Sequence, residues 1–506
     1  MNTQLRDPME PRPLAARWVV CGKLTLETAL HLGGVPSDLV DMPVLRDARQ
    51  GRPLLPGTTL AGALRSALAD RLAGYGGGEP ALVAHLFGGR RGNDREPQSP
   101  LVVFDSLGQL PEGQGVEIRD GVAISPRTGV AEERKKYDYE VLPAGTIFPV
   151  RIDLLWSPPE NSSGESKNGK PWEKEKELLE ALAAALETFV SDSGGLGARR
   201  SRGLGRFRAS WIARRFDLST PQGWLEWALA DHQRPIPDEP KHSCSLEALQ
   251  QAAPEELGSL EPLPDARRKV AIDLELQPEH DLLVRSPGTK PQDPDVSHLR
   301  SGGRPVLPGT SLAGVLRAHA LRIARLVRAS HGDSDRWVER LFGPRFEGLR
   351  PGSGFQPHAS RLRVAEAQVQ DSQPWRQTRI AIDRFTQGVV QTALFDEQPE
   401  VGGTLSLRLE IRNPQPGELG LVLLVLKDLL DARLPVGGTS SVGRGFFRGT
   451  ATVSWYEGNA PSQALLEPGK PPQGKAAERV DQAIREFHEA KSLAHSDQKP
   501  QTENTA

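Results

Sequence analysis

One stretch of this chain occurs twice. Residues Pro53 to Leu68 read PLLPGTTLAGALRSAL, and residues Pro305 to Ala320 read PVLPGTSLAGVLRAHA. Each copy opens with Pro-Gly, continues with two hydroxyl residues (Thr58 and Thr59; Thr310 and Ser311) and runs into apolar residues at helical spacing. Leu60, Ala63 and Leu64 carry that spacing in the first copy, and Leu312, Val315 and Leu316 in the second. The pattern predicts a helix start, with Pro-Gly ending the incoming chain and Thr or Ser capping free backbone N–H groups. Such a start attracts phosphate through those N–H groups and the helix dipole. One copy alone would be an ordinary capped core helix. Two copies, far apart in one chain, predict that the same domain is present twice.

Other landmarks repeat in the same order. Arg17 to Thr28 alternates as a half-buried strand, with Leu24 and Leu26 on one face and Lys23, Thr25 and Glu27 on the other; Val270, Ile272, Leu274 and Leu276 do the same in the second half. LFGGRRG at Leu86 is mirrored by LFGPRF at Leu341, and RDGVAISPRTGVA at Arg119 by RIAIDRFTQGVVQ at Arg379. Alternating strands at Phe148 to Leu154 and Leu405 to Ile411 precede helices at Glu175 to Val190 and Leu421 to Leu430. LGARRSRGLGRF at Leu196 then lines up without gaps on VGGTSSVGRGFF at Val436. Strand, helix, strands, helix, strand is the ferredoxin-like or RRM-like order, so the predicted class is α+β with two tandem domains. The boundaries read as an N-terminal arm (1–15), a first domain (16–216) with a polar insertion near 157–175, a linker (217–267) with one short helix, a second domain (268–456) and a tail (457–506). Within that tail Ala476 to Leu493 is an amphipathic helix candidate.

Composition narrows the function classes. At 506 residues, 37% hydrophobic and 25% charged, the chain can build real cores, while 51 Gly and 43 Pro imply many loops. A net charge of -2 neither demands nor excludes nucleic acid, so the distribution of charge matters more. Two cysteines allow no disulfide framework or zinc cluster, and no apolar run is long enough to span a bilayer; a soluble, cytoplasmic protein is expected. The eleven histidines show no metal-ligand spacing, and His31 and His298 read as loop or edge residues. Trp224 and Trp227, three apart on the linker helix, read as packing residues with Trp211.

Two features carry candidate chemistry. From Gly194 to Phe216 there are seven arginines (Arg199, Arg200, Arg202, Arg206, Arg208, Arg214 and Arg215) and no acidic residue. Interleaved glycines, Gly197 among them, permit close backbone approach to an anion, and guanidinium groups bind phosphate bidentately. Phosphate-backbone binding is favoured there over a merely solubilising loop. The second copy keeps Gly437 in register, adds Gly438, and carries Arg444. The other feature is the loop before each repeated helix. DMPVLRDARQGRPLLPG and DPDVSHLRSGGRPVLPG align without a gap when counted back from the helix proline, which sets Asp293 opposite Asp41, with Asp295 a close rival. A loop aspartate can orient a nucleophile or hold a hydrated magnesium beside a phosphate. It can equally be a turn-forming residue, and the residues alone leave both open.

The combination of VDMPVLRD, LPGTTLAGALRSAL, a basic mid-domain hairpin and GLGARRSRGLGRF resembles the RAMP superfamily, and more narrowly the backbone subunit of type III CRISPR effector complexes, two copies fused as in type III-D-like systems. The resemblance implies an RRM-like palm that wraps guide RNA and hairpin thumbs, Arg119 to Tyr139 and Arg379 to Phe395, that interrupt the guide–target duplex. It implies metal-dependent cleavage of target RNA, using magnesium or manganese, at Asp41 and, from the second copy, Asp293, the same residues serving as metal ligands. Guide binding carries over to Gly57, Thr58, Thr59, Arg65, Gly197, Arg199, Arg200 and Arg202, and to Gly309, Thr310, Ser311, Arg317, Gly437, Gly438 and Arg444. Implied partners are guide RNA, target RNA and other RAMP-type subunits, with no membrane. A non-catalytic scaffold and a guide-precursor processing endonuclease are the alternatives; the latter would want a catalytic histidine.

Overall fold

A computed structural model describes residues 14–36, 40–89, 98–125, 127–158, 171–189, 194–288, 292–327, 331–344, 358–456 and 461–489. Most of the N-terminal arm, most of the polar insertion, Val190 and the last seventeen residues lie outside them. The chain divides into two compact units, Met1–Gly121 with Tyr137–Arg200 and Leu204–Arg267, and Val122–Lys136 with Ser201–Gly203 and Arg268–Ala506.

In the first unit the alternating stretch forms β1 (Ala16–Leu26), followed by α1 (Gly57–Ala73), α2 (Ala81–Phe87) and β2 (Leu101–Val103). A hairpin of β3 (Glu117–Ile124) and β4 (Ala131–Val141), whose residues Val122–Lys136 are counted with the second unit, leads to β5 (Ile147–Trp156), α3 (Pro171–Leu186) and β6 (Phe207–Asp217). The sheet order is β2-β5-β1-β6, every neighbour antiparallel, which is the ferredoxin-like arrangement. Leu24, Phe148 and Ile152 meet Leu60 and Leu64 of α1 and Leu182 of α3 in one core.

The segment 217–267 carries two helices rather than the single one expected. Thr220 caps α4 (Pro221–Leu229), accepting the Gly223 N–H at 3.1 Å. Trp227 of this helix packs edge-on to Phe216 and beneath Arg17, so the outer face of β1, with Val19, is buried too. Trp224 is half exposed. The second helix, α5 (Ser245–Ala252), sends Ala248 and Leu249 into the main core, and Ser245 donates to the Ala183 carbonyl at 2.9 Å.

The second unit repeats the plan. β7 (Lys269–Pro278), α6 (Gly309–Val327), α7 (His331–Phe342) and β8 (Leu362–Val364) precede a hairpin of β9 (Gln377–Ile382) and β10 (Val389–Gln398). β11 (Leu405–Arg412), α8 (Glu418–Leu430) and β12 (Phe447–Tyr456) complete the domain. The order β8-β11-β7-β12 matches the first sheet, and β13 (Ser462–Leu466) extends its edge. The amphipathic tail helix is α9 (Ala477–Glu489), which buries Val480, Ala483 and Phe487. A Cβ on Gly420 would lie 2.1 Å from the Ala483 carbonyl oxygen, so only glycine lets α8 and α9 approach this closely.

Candidate nucleic-acid interface

The loop between β1 and α1 is held against the base of the β3–β4 hairpin. Asp41 Oδ2 accepts the backbone N–H of Asp138 at 3.0 Å, and the Asp41 N–H donates to Asp138 Oδ1 at 2.8 Å. Met42 bridges Tyr139 in parallel, and the Val44 N–H donates to Glu140 at 2.9 Å. Asp41 itself is exposed. Each aspartate's carboxylate therefore takes the other's backbone N–H where the loop joins the hairpin.

The second unit makes the corresponding carboxylate-to-amide bond with Asp295, not Asp293. Asp295 Oδ2 accepts the backbone N–H of Asp396 at 2.8 Å, and the next residue, Val296, pairs in parallel with Glu397 as Met42 does with Tyr139. The gapless alignment that set Asp293 opposite Asp41 is thus corrected. Residues 47–52 lie between the bridged Arg46 and Pro53, but only 301–304 lie between the paired Arg300 and Pro305. The tighter turn, made by Gly302 and Gly303 in the left-handed region, drops two residues and shifts every upstream position. The partners Asp138 and Asp396 were missed in the sequence; each follows an aromatic, Tyr137 or Phe395, at the end of the repeated hairpin.

The glycine loops match bond for bond. Leu196 N–H donates to Gly205 at 3.0 Å and Val436 to Gly445 at 2.9 Å; Ala198 donates to His31 at 3.0 Å and Gly438 to Leu283 at 2.7 Å. Arg199 and Thr439 share the left-handed conformation, φ 58° and 56°. These N–H groups are spent inside the fold, and the glycines serve close packing: a Cβ on Gly197 would sit 2.3 Å from the His31 oxygen, and one on Gly437 2.6 Å from that of Leu283. What the first loop turns outward is side chains. Arg200 is exposed, while Arg199 stacks over Tyr137 and Tyr139 and donates to the Tyr137 hydroxyl at 2.6 Å. Gly121 makes room for that tyrosine, since a Cβ there would meet its ring. Four other arginines of the basic run face acids: Arg206 and Arg208 reach Glu27, Arg214 reaches Glu226, and Arg215 reaches Glu175.

Arg444 is a correction of another kind. Expected on RNA, it is buried, donating to Asp281 at 2.6 Å, Glu397 at 2.7 Å, Gln377 at 2.7 Å and Thr439 at 3.1 Å. The same place in the first unit is apolar, filled by Ala29, Tyr139, Val141 and Leu204. Within the second unit Arg202 donates to the Phe342 carbonyl, and burial together with the charge of Arg317 lowers its pKa to about 10.

The repeated helix starts differ from expectation. The N-cap of α1 is Pro56, with no side-chain cap from its own sequence; instead Asp105 accepts the Gly57 N–H at 2.7 Å. α6 likewise begins at Gly309. A Cβ on Gly57 would lie 2.2 Å from the Val103 oxygen, and one on Gly309 2.4 Å from that of Val364, so both glycines serve helix–strand packing. Thr58 is exposed, Thr59, Thr310 and Ser311 are half-buried, and Arg65 is bound to Glu79 at 2.5 Å.

The sequence pattern of the RAMP superfamily matches residues 23–208 and 280–448, more than half of the chain and one match in each repeat. The chain belongs to the RAMP superfamily. That superfamily is associated with CRISPR effector complexes and RNA binding. No curated protein matches the chain.

In this RAMP chain the histidines near the loops are structural. His298 is buried, with Nδ1 against Leu282 and Val284 and Nε2 against the Val306 carbonyl; burial lowers its pKa to about 4. His31 is buried against the Glu140 carbonyl at 2.7 Å. Among the described residues no group of three or more His, Cys, Asp or Glu could hold a metal. Asp41 and Asp138 are oxygen donors of the kind a hydrated magnesium takes, and two carboxylates are too few for an all-protein cage. No helix among the described residues is long and apolar enough to cross a membrane.

Proposed function

We propose that this chain is a guide-RNA-binding backbone subunit of a type III CRISPR effector complex, with one target-cleaving loop in each repeat. The observation that carries the reading is the repeated junction: an aspartate, Asp41 or Asp295, hydrogen-bonded to the amide of a second aspartate at the base of a hairpin. A carboxylate anchored through one oxygen keeps its position and leaves the other for the substrate. The hairpins supply the thumbs. β3–β4 exposes Arg127, Arg134, Lys135 and Lys136, suited to phosphates, together with Ile118, Ile124 and Val130, and β9–β10 exposes Ile380, Ile382, Phe385 and Leu394; the apolar side chains of both are suited to wedging between bases. Base pairing to the guide supplies sequence specificity, and the protein grips backbone.

Cleavage follows from a splayed target nucleotide. Its ribose 2′-OH attacks the adjacent phosphorus, a 2′,3′-cyclic phosphate forms as the bond from phosphorus to the 5′ oxygen breaks, and that oxygen takes a proton from solvent water. Asp41 or Asp295 orients the attacking hydroxyl and accepts its proton, with Asp138 or Asp396 fixing the carboxylate. Bound magnesium or manganese, held by the loop aspartate Asp41 or Asp295, would supply charge neutralisation at the scissile group. Guide RNA, target RNA and further RAMP-type subunits are the partners. The cytoplasm suits the free Cys21 and Cys244.

The test is cleavage of guide-complementary RNA by the assembled complex. Asp41→Ala should remove one product and leave the others, and chelation of divalent metal should remove all. Persistence of every product in both conditions would return the chain to a non-catalytic scaffold.

A further inference from the structure

The second glycine loop has lost the arginines of the first: Thr439 and Ser440 stand where Arg199 and Arg200 stand, and Arg444 is buried. Positive charge arrives there from elsewhere in the chain. Glu397, at the end of β10 and 1% exposed, is shared by three arginines. Arg444 donates to it from beneath at 2.7 Å, Arg379 of the hairpin lies 3.2 Å from the same oxygen, and Arg285 lies 3.8 Å from the other. Arg444 is also matched by Asp281 at 2.6 Å. Three guanidinium groups thus face two carboxylates, and the excess charge falls at the two arginines that reach solvent, Arg285 with 54% and Arg379 with 39% of the side chain exposed. The Arg285 side chain lies along Gly438, where a Cβ would come within 3.1 Å of Nε, and the exposed Ser440 and Ser441 follow in the same loop.

We infer that Arg285 and Arg379 form a phosphate-binding fork beside the second glycine loop, fixed by the buried Glu397 and directed at the RNA backbone. Two guanidinium groups hung on one immobile carboxylate lose little freedom on binding, and both side chains keep solvent-exposed surface for a phosphate. The fork does in the second repeat what Arg199 and Arg200 do in the first under the RNA-binding reading above, on which this inference rests.

The experiment is a salt titration of single-stranded RNA binding to the full chain. Arg285→Ala with Arg379→Ala should weaken binding about tenfold near physiological salt, and should flatten the dependence of log affinity on log salt by about 1.4, the loss of two phosphate contacts. Arg433→Ala, an exposed arginine paired with Asp431, should change neither. Should the alanine pair lower the melting temperature, Arg285→Gln with Arg379→Gln keeps side-chain bulk and is expected to show the same flattening. If the parent binds RNA and the double variants match it in affinity and slope, the fork is overturned while the wider reading stands. If the parent binds no RNA, both fall.

Discussion

Asp295 accepts the backbone N–H of Asp396 at 2.8 Å, the bond that Asp41 makes to Asp138 at 3.0 Å in the other repeat. The equivalence survives a change of chemistry around it. In the second repeat Asp396 also accepts from Thr378 at 2.6 Å and pairs with Arg376 at 2.6 Å, contacts that hold its carboxyl below the usual range. Across the hairpin base, apolar packing in one repeat becomes an ion cluster in the other.

That exchange predicts a strongly non-additive variant series. Arg444→Leu alone leaves Asp281 and Glu397 without their buried partner and should cost about 3–5 kcal/mol in a denaturant titration. Adding Asp281→Ala and Glu397→Tyr installs the residues that the first repeat uses at these places, Ala29, Tyr139 and Leu204, and should recover most of the loss.

The pH dependence of stability should carry the signature of His298. Its folded pKa is about 4 against 6.5 for the free side chain, so the folded state binds the proton less readily than the unfolded chain. The contribution is fully present above about pH 6.5 and is lost as pH falls toward 4, on the order of 3 kcal/mol across the window. Denaturant midpoints at pH 7.5 and 5 measure it, and His298→Gln should flatten the difference.

Helix α1 should respond to its distant cap and not to its own threonines. Asp105→Ala removes the carboxylate from the Gly57 N–H and should cost about 1 kcal/mol, whereas Thr58→Ala should stay within about 0.5 kcal/mol. Gly57→Ala forces a methyl group onto the Val103 carbonyl and should cost about 2–3 kcal/mol, read by thermal unfolding.

The repeated order of elements could be read from the sequence because it rests on local signals. Alternation set β1 and β7, and helical spacing set α1 and α6. The hairpin repeats at Arg119 and Arg379 became β3–β4 and β9–β10. What escaped depends on partners far along the chain. Asp105 caps a helix that begins 48 residues earlier, and Arg285, Arg379, Glu397 and Arg444 meet only after folding. An arginine beside glycines looks the same in the sequence whether it faces a phosphate, as Arg200 can, or a buried carboxylate, as Arg444 does. The segment 217–267 looked like a linker because Pro and acidic residues dominate it; a few apolar residues, Trp227, Ala248 and Leu249, suffice to seat its helices. The aspartate register failed through a two-residue difference in one turn, which counting cannot see.

The most direct measurement is the cleavage map of a guide-complementary RNA cut by complexes carrying Asp41→Ala, Asp293→Ala or Asp295→Ala, each product end located to the nucleotide. The expected result is that Asp41→Ala abolishes one cut, Asp295→Ala abolishes a second, and Asp293→Ala abolishes neither. Loss of the second cut with Asp293→Ala while Asp295→Ala keeps it would contradict the equivalence of the two junctions.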